Sequence, residues 1–256
     1  MQTQQILSSD LFLDLVKNHK KVFFIFDYDG TLVPLNKEHN KALLSAEQFS
    51  LLNQLATTSD TKISIVTGRS IANLKMLLAD QLHTSAIIYG SHGGEKNEEC
   101  RESNYTEHLE KIYEAFVSEP HIAWERKPLS ITLHYKEHPN REELKSRLDK
   151  EADKHSHLFR VQTGHDVYEF LPKDINKGLA IEDINQYFPD YYLVFLGDDL
   201  TDNFGFRVIN KLNGLSIQVS DRMKERCAGY LINSVADTYD LIKCYLNYKN
   251  NYECTS

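Results

Sequence analysis

The sequence predicts an α/β protein whose parallel-sheet core is interrupted by a smaller inserted α+β domain. Three observations point there. Near both ends of the chain, short continuous apolar runs alternate with amphipathic helical stretches, the pattern of a sheet buried on both faces. A middle stretch switches to strict alternation of apolar and polar residues, as in a sheet with one covered face. The 256 residues, 41% hydrophobic and 26% charged, permit one large domain or two small ones.

The elements follow in order. "KVFFIF" is a continuous apolar strand. "LLSAEQFSLLNQLA" places Leu44, Leu51, Leu52 and Leu55 on one helical face. "KISIV" is a second strand. Ser70 is suited to cap the next helix, whose apolar face holds Ile71, Leu74, Leu77 and Leu78. "AIIYG" is a third strand. The middle begins with a helical pattern through Leu109, Ile112, Tyr113 and Phe116. In "SITLHYK", Ile131, Leu133 and Tyr135 alternate with Ser130, Thr132 and His134, which predicts one open face. A helix led by Pro139 carries Leu144 and Leu148. Two strand signals follow, around 159–162 and 167–171. The final part begins with a helix near Asn176, continues through the strands "YYLVFLGDD", "LSIQV" and "GYLIN", and ends in the helix "SVADTYDLIKCYLNY". Ser234 and Asp237 there resemble a capping box. The core is expected over residues 1–103 and 173–256, and the insertion over 104–172.

Composition narrows the function classes. The net charge is −8 and no Lys/Arg-rich block occurs, which argues against nucleic acid. No apolar span is long enough for a membrane helix, and "MQTQQILSSD" does not read as a secretory signal. Cys100, Cys227, Cys244 and Cys254 lack metal-ligand spacing and read as reduced thiols. The expected setting is the cytoplasm.

The chemistry gathers where the apolar strands end, the usual ligand edge of an open parallel sheet. One strand runs into Asp27 and Asp29, the next into Thr67, Gly68 and Arg69, and a later one into Asp198, Asp199 and, one turn on, Asp202. Taken singly, "DYDG" is a turn, "TGR" a loop before a helix, and "GDDLTD" a capped helix start. Their occurrence in this order, each behind an apolar strand, favours one shared site. Side chains two apart on an extended strand point the same way, so one carboxylate can attack while the other handles a proton. Converging carboxylates need a cation, and Mg2+ suits oxygen ligands beside phosphate. Lys177 and Thr67 are suited to hold phosphoryl oxygens.

These residues resemble the haloacid dehalogenase superfamily of phosphatases. "DYDGTL" resembles its first motif, with Asp27 as nucleophile and Asp29 as general acid/base. "VTGR" resembles the second, with Thr67 on the phosphate. Lys177 fits the third and "GDDLTD" the fourth. The resemblance implies a haloacid-dehalogenase-like core in which Asp27, the backbone carbonyl of Asp29, Asp198 and Asp202 serve Mg2+, and in which an α+β cap closes over the substrate.

Within that superfamily, "GSHGGE", "WERKPLSITLHYK" and "GHDVYEFLPKDINKGLAI" resemble the trehalose-6-phosphate phosphatases. The matching residues are Gly90, His92, Gly93, Glu125, Lys127, Ser130, His134, Tyr135, Gly164, Glu169, Pro172, Lys177 and Gly178. The resemblance implies Mg2+-dependent hydrolysis of trehalose 6-phosphate in trehalose biosynthesis. It places Gly68, Arg69, His92, Gly93, Glu125, Lys127 and Glu169 at the substrate. Another sugar phosphate, sucrose 6-phosphate or mannosyl-3-phosphoglycerate, and a catalytically silent regulator remain as alternatives. The protein is expected to be a monomer, with a trehalose-phosphate synthase as the one macromolecular partner the resemblance leaves open. The chain departs from the family pattern in the fourth motif, where Thr201-Asp202-Asn203-Phe204 stands for the usual Thr-Asp-Glu-Asp and Asn203 removes a carboxylate, and at Lys136, where an Arg is common. Without the family, Glu125 and Lys127 read as a solvated charge pair, His92 as a loop histidine bonded to backbone, and Trp124 as packing.

Overall fold

A computed structural model of the chain describes residues 5–36, 41–79, 81–96, 99–100, 105–164, 166–220 and 227–253. Cys254 lies outside them; Cys227 and Cys244 are free thiols. The chain divides into two units, residues 1–98 with 177–256, and residues 99–176. The sequence-based boundaries lay a few residues inside the second unit.

The first unit carries a sheet ordered β1-β13-β12-β11-β2-β3-β4-β5. Its members are β1 (Gln5–Ile6), β2 (Val22–Phe26), β3 (Thr61–Val66), β4 (Ile87–Gly90), β5 (Glu95–Lys96), β11 (Tyr192–Gly197), β12 (Leu215–Val219) and β13 (Tyr230–Ile232), while the short β6 (Glu99–Cys100) falls at the start of the second unit. From β1 across to β4 every pairing is parallel, and β5 turns antiparallel to β4. β2 lies centrally, in register with β11 through Phe26↔Leu196 and with β3 through Phe26↔Ile65. All five of its side chains are buried, as a continuous apolar run requires when helices cover both faces.

One face of the sheet packs Phe24, Phe26, Ile63, Ile65, Val194 and Leu196 with α1 (Ser9–Val16), α2 (Ala46–Thr57), α3 (Ile71–Leu78) and α8 (Val235–Glu253). The other packs Phe23, Ile25, Leu193 and Phe195 with α6 (Lys177–Tyr187) and α7 (Asp202–Lys211). Ser70 caps α3 by accepting from Asn73 N, and the expected Ile71, Leu74, Leu77 and Leu78 are its buried residues. α2 differs in detail. It starts after Leu44, behind a capping box of Ser45 and Gln48, and buries Phe49, Leu52, Leu55 and Ala56. At α8, Ser234 Oγ accepts from Asp237 N, but the Asp237 carboxylate reaches back to Asn233 N. The reciprocal bond is thus displaced by one residue.

The second unit is a four-stranded antiparallel sheet, β7-β8-β10-β9, made of β7 (Ala123–Arg126), β8 (Ile131–His134), β9 (Phe159–Gly164) and β10 (Val167–Pro172). α4 (Tyr105–Phe116) and α5 (Arg141–Lys154) cover one face through Leu109, Ile112, Leu144, Leu148, Ile131, Leu133, Tyr168 and Phe170. Trp124 packs on this core, edge-on to Tyr113 with ring centroids 5.0 Å apart. α5 is capped by Asn140, whose side chain accepts from Glu143 N, so Pro139 precedes the helix rather than leading it. The opposite face is not open at Thr132, which is 3% exposed. Its cross-strand neighbours are the longer Glu125 and Glu169, which stand on either side and shelter it.

Candidate active site

The register of the first sheet explains why distant acids meet. β11 lies against β2, and Asp27 N continues their ladder by donating to Leu196 O at 2.9 Å. The two strands therefore deliver Asp27 and Asp198 side by side at the same sheet edge. Gly30, at φ +79°, lets the loop after β2 pass so close that a Cβ there would stand 2.2 Å from Asp198 Oδ2. No L side chain fits that approach. Asp202 is brought in by the turn before α7. Its Oδ2 accepts from the backbone N–H groups of Asp198 and Asp199, both at 2.9 Å. Asp199 Oδ1 in turn accepts from Thr201 N and Thr201 Oγ1 at 2.7 and 2.6 Å, which fixes the turn as an Asx-type cap.

Asp27, Asp198 and Asp202 each offer an oxygen within 4.8 Å of the others. Lys177, 2% exposed at the start of α6, donates to Asp202 Oδ1 at 2.7 Å and lies 2.8 Å from Asp27 Oδ1. One buried ammonium thus bridges two carboxylates. Burial pushes the Asp27 carboxyl up to about 8 against the pull of Lys177, with Asp198 adding to the rise. Burial, with Asp202 and Asp199 nearby, pushes Asp198 up to about 7. Burial alone would lower the Lys177 pKa, but Asp202 and Asp27 hold it well above its ordinary value. Asp199 is different: despite its burial, Lys177 and the Thr201 donors bring it down to about 2.

The donor set fits a hard divalent cation. Asp198 Oδ1 is buried and has no hydrogen-bond partner, which is costly for a carboxylate oxygen unless something positive meets it. All the side-chain donors are carboxylate oxygens, the ligands Mg2+ prefers.

Asp29 stands apart from this cluster. Its carboxylate takes a two-pronged bond from Arg69, Nε to Oδ2 and Nη2 to Oδ1, both at 2.6 Å. Arg69 Nη1 is anchored on Asn73 Oδ1 at 2.8 Å. The guanidinium expected at the substrate is therefore turned to the expected acid/base, a pairing across forty positions that no local pattern announces.

Thr67 follows β3, with its N donating to Tyr89 O at 3.0 Å and its O accepting from His92 N at 2.8 Å. Its hydroxyl oxygen accepts from Arg69 N at 3.2 Å, leaving the hydroxyl proton available to donate. Gly68 presses on the His92 ring, where a Cβ would come within 2.6 Å of Cε1. Ser91, His92 and Gly93 take φ values of 47°, 57° and 98°, a left-handed stretch that costs energy at the two non-glycine positions. Buried Glu95 holds the stretch in place. It accepts from Ser91 Oγ with one oxygen and from Ile71 N, at 3.2 Å, with the other. The sequence reading gave Glu95 no role, although it closes the quoted "GSHGGE".

In the second unit, Glu125, Thr132, Glu169 and Gln162 form one cross-strand row on the face away from its helices. Lys127 Nζ donates to Glu169 Oε1 at 2.9 Å, and Ser130 Oγ to the same oxygen at 3.1 Å. Lys127 also lies 3.8 Å from Glu125, and His134 Nε2 lies 3.6 Å from the other Glu125 oxygen. Glu125, Lys127 and Glu169, three of the residues expected at the substrate, thus make one connected polar patch with Ser130 and His134. Asn203, the departure at the fourth motif, accepts from Cys227 N at 3.1 Å and serves that neighbouring segment.

A parallel sheet with an aspartate just past its central strand, a buried lysine and an acid-rich loop is a fold found among haloacid-dehalogenase-like proteins. A haloacid dehalogenase-like hydrolase from Bacteroides thetaiotaomicron shares the fold with a TM-score of 0.67, covering 88% of this chain and 99% of that one at 13% identity. The C-terminal domain of C. albicans trehalose-6-phosphate phosphatase gives a TM-score of 0.79 over 96% of this chain and 98% of its own, at 21% identity. The trehalose-phosphatase family model matches residues 25–230, and the chain belongs to that family. The trehalose-6-phosphate phosphatase of Escherichia coli K12 is 30% identical over 213 residues, covering 78% of this chain and 77% of the relative. The yeast relatives are longer proteins, of which the chain spans 27%.

Proposed function

We propose that this chain hydrolyses trehalose 6-phosphate to trehalose and phosphate, as the names of its relatives suggest, through an aspartyl phosphate formed on Asp27. The observation that carries the reading is the buried contact of Asp27 with Lys177 beside the unpartnered oxygen of Asp198. A nucleophilic carboxylate, a fixed cation and a vacant anionic ligand are the parts phosphoryl transfer requires.

In this reading Asp27 attacks phosphorus in line. Lys177 and the outward proton of Thr67 hold the phosphoryl oxygens. Asp29 gives a proton to the departing sugar oxygen and later takes one from the hydrolytic water. Arg69 orients Asp29 for both transfers, and so acts on the reaction rather than on the substrate. Asp27, Asp198, Asp202 and the backbone carbonyl of Asp29 would hold Mg2+, which supplies charge neutralisation at the phosphoryl group when bound. Asp202 is oriented for this by Lys177 on one oxygen and two backbone donors on the other. His92 and Gly93 line the phosphate side. Glu125, Lys127 and Glu169 take the sugar hydroxyls, for which paired ionised donors and acceptors are suited. The setting carried with this reading is a monomer in the cytoplasm; among the described residues no helix is long and apolar enough to cross a membrane.

The test is phosphate release by the purified chain from trehalose 6-phosphate, sucrose 6-phosphate and mannosyl-3-phosphoglycerate, with and without Mg2+. Mg2+-dependent release that is fastest from trehalose 6-phosphate is expected. Release favouring another ester replaces the substrate, and no release from any ester makes the chain a silent binder.

A further inference from the structure

The proposed reaction leaves unused a group of histidines in the second unit. His108 lies on α4, His155 caps the C-terminal end of α5, and His157 follows two residues on. His108 Nδ1 and His155 Nδ1 face each other at 3.1 Å, with the rings near-perpendicular at 89°. The His157 ring lies 5.5 Å from that of His108. On the far side of the His155 ring, Nε2 meets Glu151 Oε1 at 3.2 Å, and Glu151 is held by Lys154 Nζ at 2.6 Å.

The Glu151 contact sets the tautomer. His155 Nε2 carries the proton donated to the carboxylate, so Nδ1 carries a lone pair and His108 must donate the proton lying between the two rings. Two imidazole nitrogens on one tetrahedral ion, at ligand distances of ~2.0–2.1 Å, stand about 3.3 Å apart. The observed separation needs only a slight opening to admit one. If His108 moves its proton to Nε2, both lone pairs face the ion with no net change in charge. A histidine ligand whose other nitrogen is tied to a carboxylate is the usual support around transition metals. Burial lowers the His155 pKa against the upward pull of Glu151, which favours the neutral ring that a ligand must be.

We propose that His108 and His155, completed by His157, form a binding site for a divalent transition metal such as Zn2+ or Cu2+, tying α4 to the end of α5. The three rings are not yet a closed ligand set, since the one such group among the described residues is Asp27, Asp198 and Asp202. His157 is exposed and free to turn about its side-chain bonds towards the ion.

Cu2+ is the probe, added to the full chain in excess Mg2+ so that the acidic site is filled. The expected result is one tightly bound equivalent whose electron paramagnetic resonance spectrum shows splitting from two or more imidazole nitrogens. His108→Gln and His157→Gln, both outside the proposed reaction, should each weaken binding by about tenfold or more. Phosphate release in Mg2+ should stay unchanged in both. His155→Gln adds a third variant, judged only if its circular dichroism matches the parent. A spectrum without nitrogen splitting overturns the site. So does nitrogen-coupled binding that both His108→Gln and His157→Gln leave intact, because the ion would then sit on other histidines of the chain.

Discussion

The two units present their charged residues in opposite ways. In the first, Asp27, Lys177, Asp198 and Asp202 sit at loop junctions and are locked by backbone donors and by one another. In the second, Glu125, Lys127 and Glu169 stand on the face of a sheet, and Glu125 is half exposed. A buried, over-determined site is built for one fixed geometry of charge. Under the proposed function, a patch on a sheet face takes sugar hydroxyls through several contacts, each of which contributes a modest share.

The difference orders the expected effects of mutation. Asp27→Asn should lower turnover on the order of 10^4-fold or more while leaving the circular dichroism unchanged. Activity near that of the parent would remove Asp27 from the nucleophile's role. Lys177→Met leaves buried carboxylates without their cation, and should cost about 3–5 kcal/mol in urea unfolding along with most of the activity. A change below about 1 kcal/mol would mean that the pair is as weak as a surface one. Arg69→Lys keeps the charge but loses the fork on Asp29. We expect kcat to fall about 10^2-fold with little change in KM. A rise in KM at constant kcat would instead place Arg69 on the substrate. For Glu169→Ala, the KM for trehalose 6-phosphate should rise about tenfold, with little effect on p-nitrophenyl phosphate. Equal losses on both esters would erase the contrast between the two units.

The gentlest test uses pH. The folded pKa values of Asp27 and Asp198 lie at about 8 and about 7, above the ordinary 3.8. A carboxyl raised on folding costs nothing while protonated in both states. Its penalty accumulates as pH climbs from about 4 and is complete above the folded pKa. Without a cation the protein should therefore lose stability between about pH 4 and 8 through these groups. Mg2+ should restore it, so the rise in melting temperature on adding Mg2+ should be larger at pH 8 than at pH 5. An equal rise at both values would place the ion elsewhere.

What was legible in the sequence follows from where each signal resides. The runs "KVFFIF" and "YYLVFLGDD" announce their strands because burial on both faces leaves no polar positions. The acids behind them can be read because an open parallel sheet puts its ligands at that edge. Ser70 and its helix were equally plain, since cap and apolar face are both local. The two-residue strands β1, β5 and β6 lack enough residues to show a period. β7, Ala123–Arg126, carries more charge than a strand pattern tolerates. Thr132 looks solvent-facing by its alternation and is buried by longer neighbours on adjacent strands. Long-range partners were the hardest to see. Arg69 belongs to Asp29 and Glu95 to Ile71 because of where loops meet, which spacing along the chain does not encode.

The claim on which the rest turns is that phosphorus passes through Asp27. Borohydride reduces an acyl phosphate and leaves a free carboxylate alone, so enzyme quenched into it during turnover of trehalose 6-phosphate with Mg2+ can be read by peptide mass spectrometry. The account predicts homoserine at position 27, present only when substrate and Mg2+ are both supplied and missing from Asp27→Asn. Reduction at another aspartate, or none during demonstrable turnover, would contradict it.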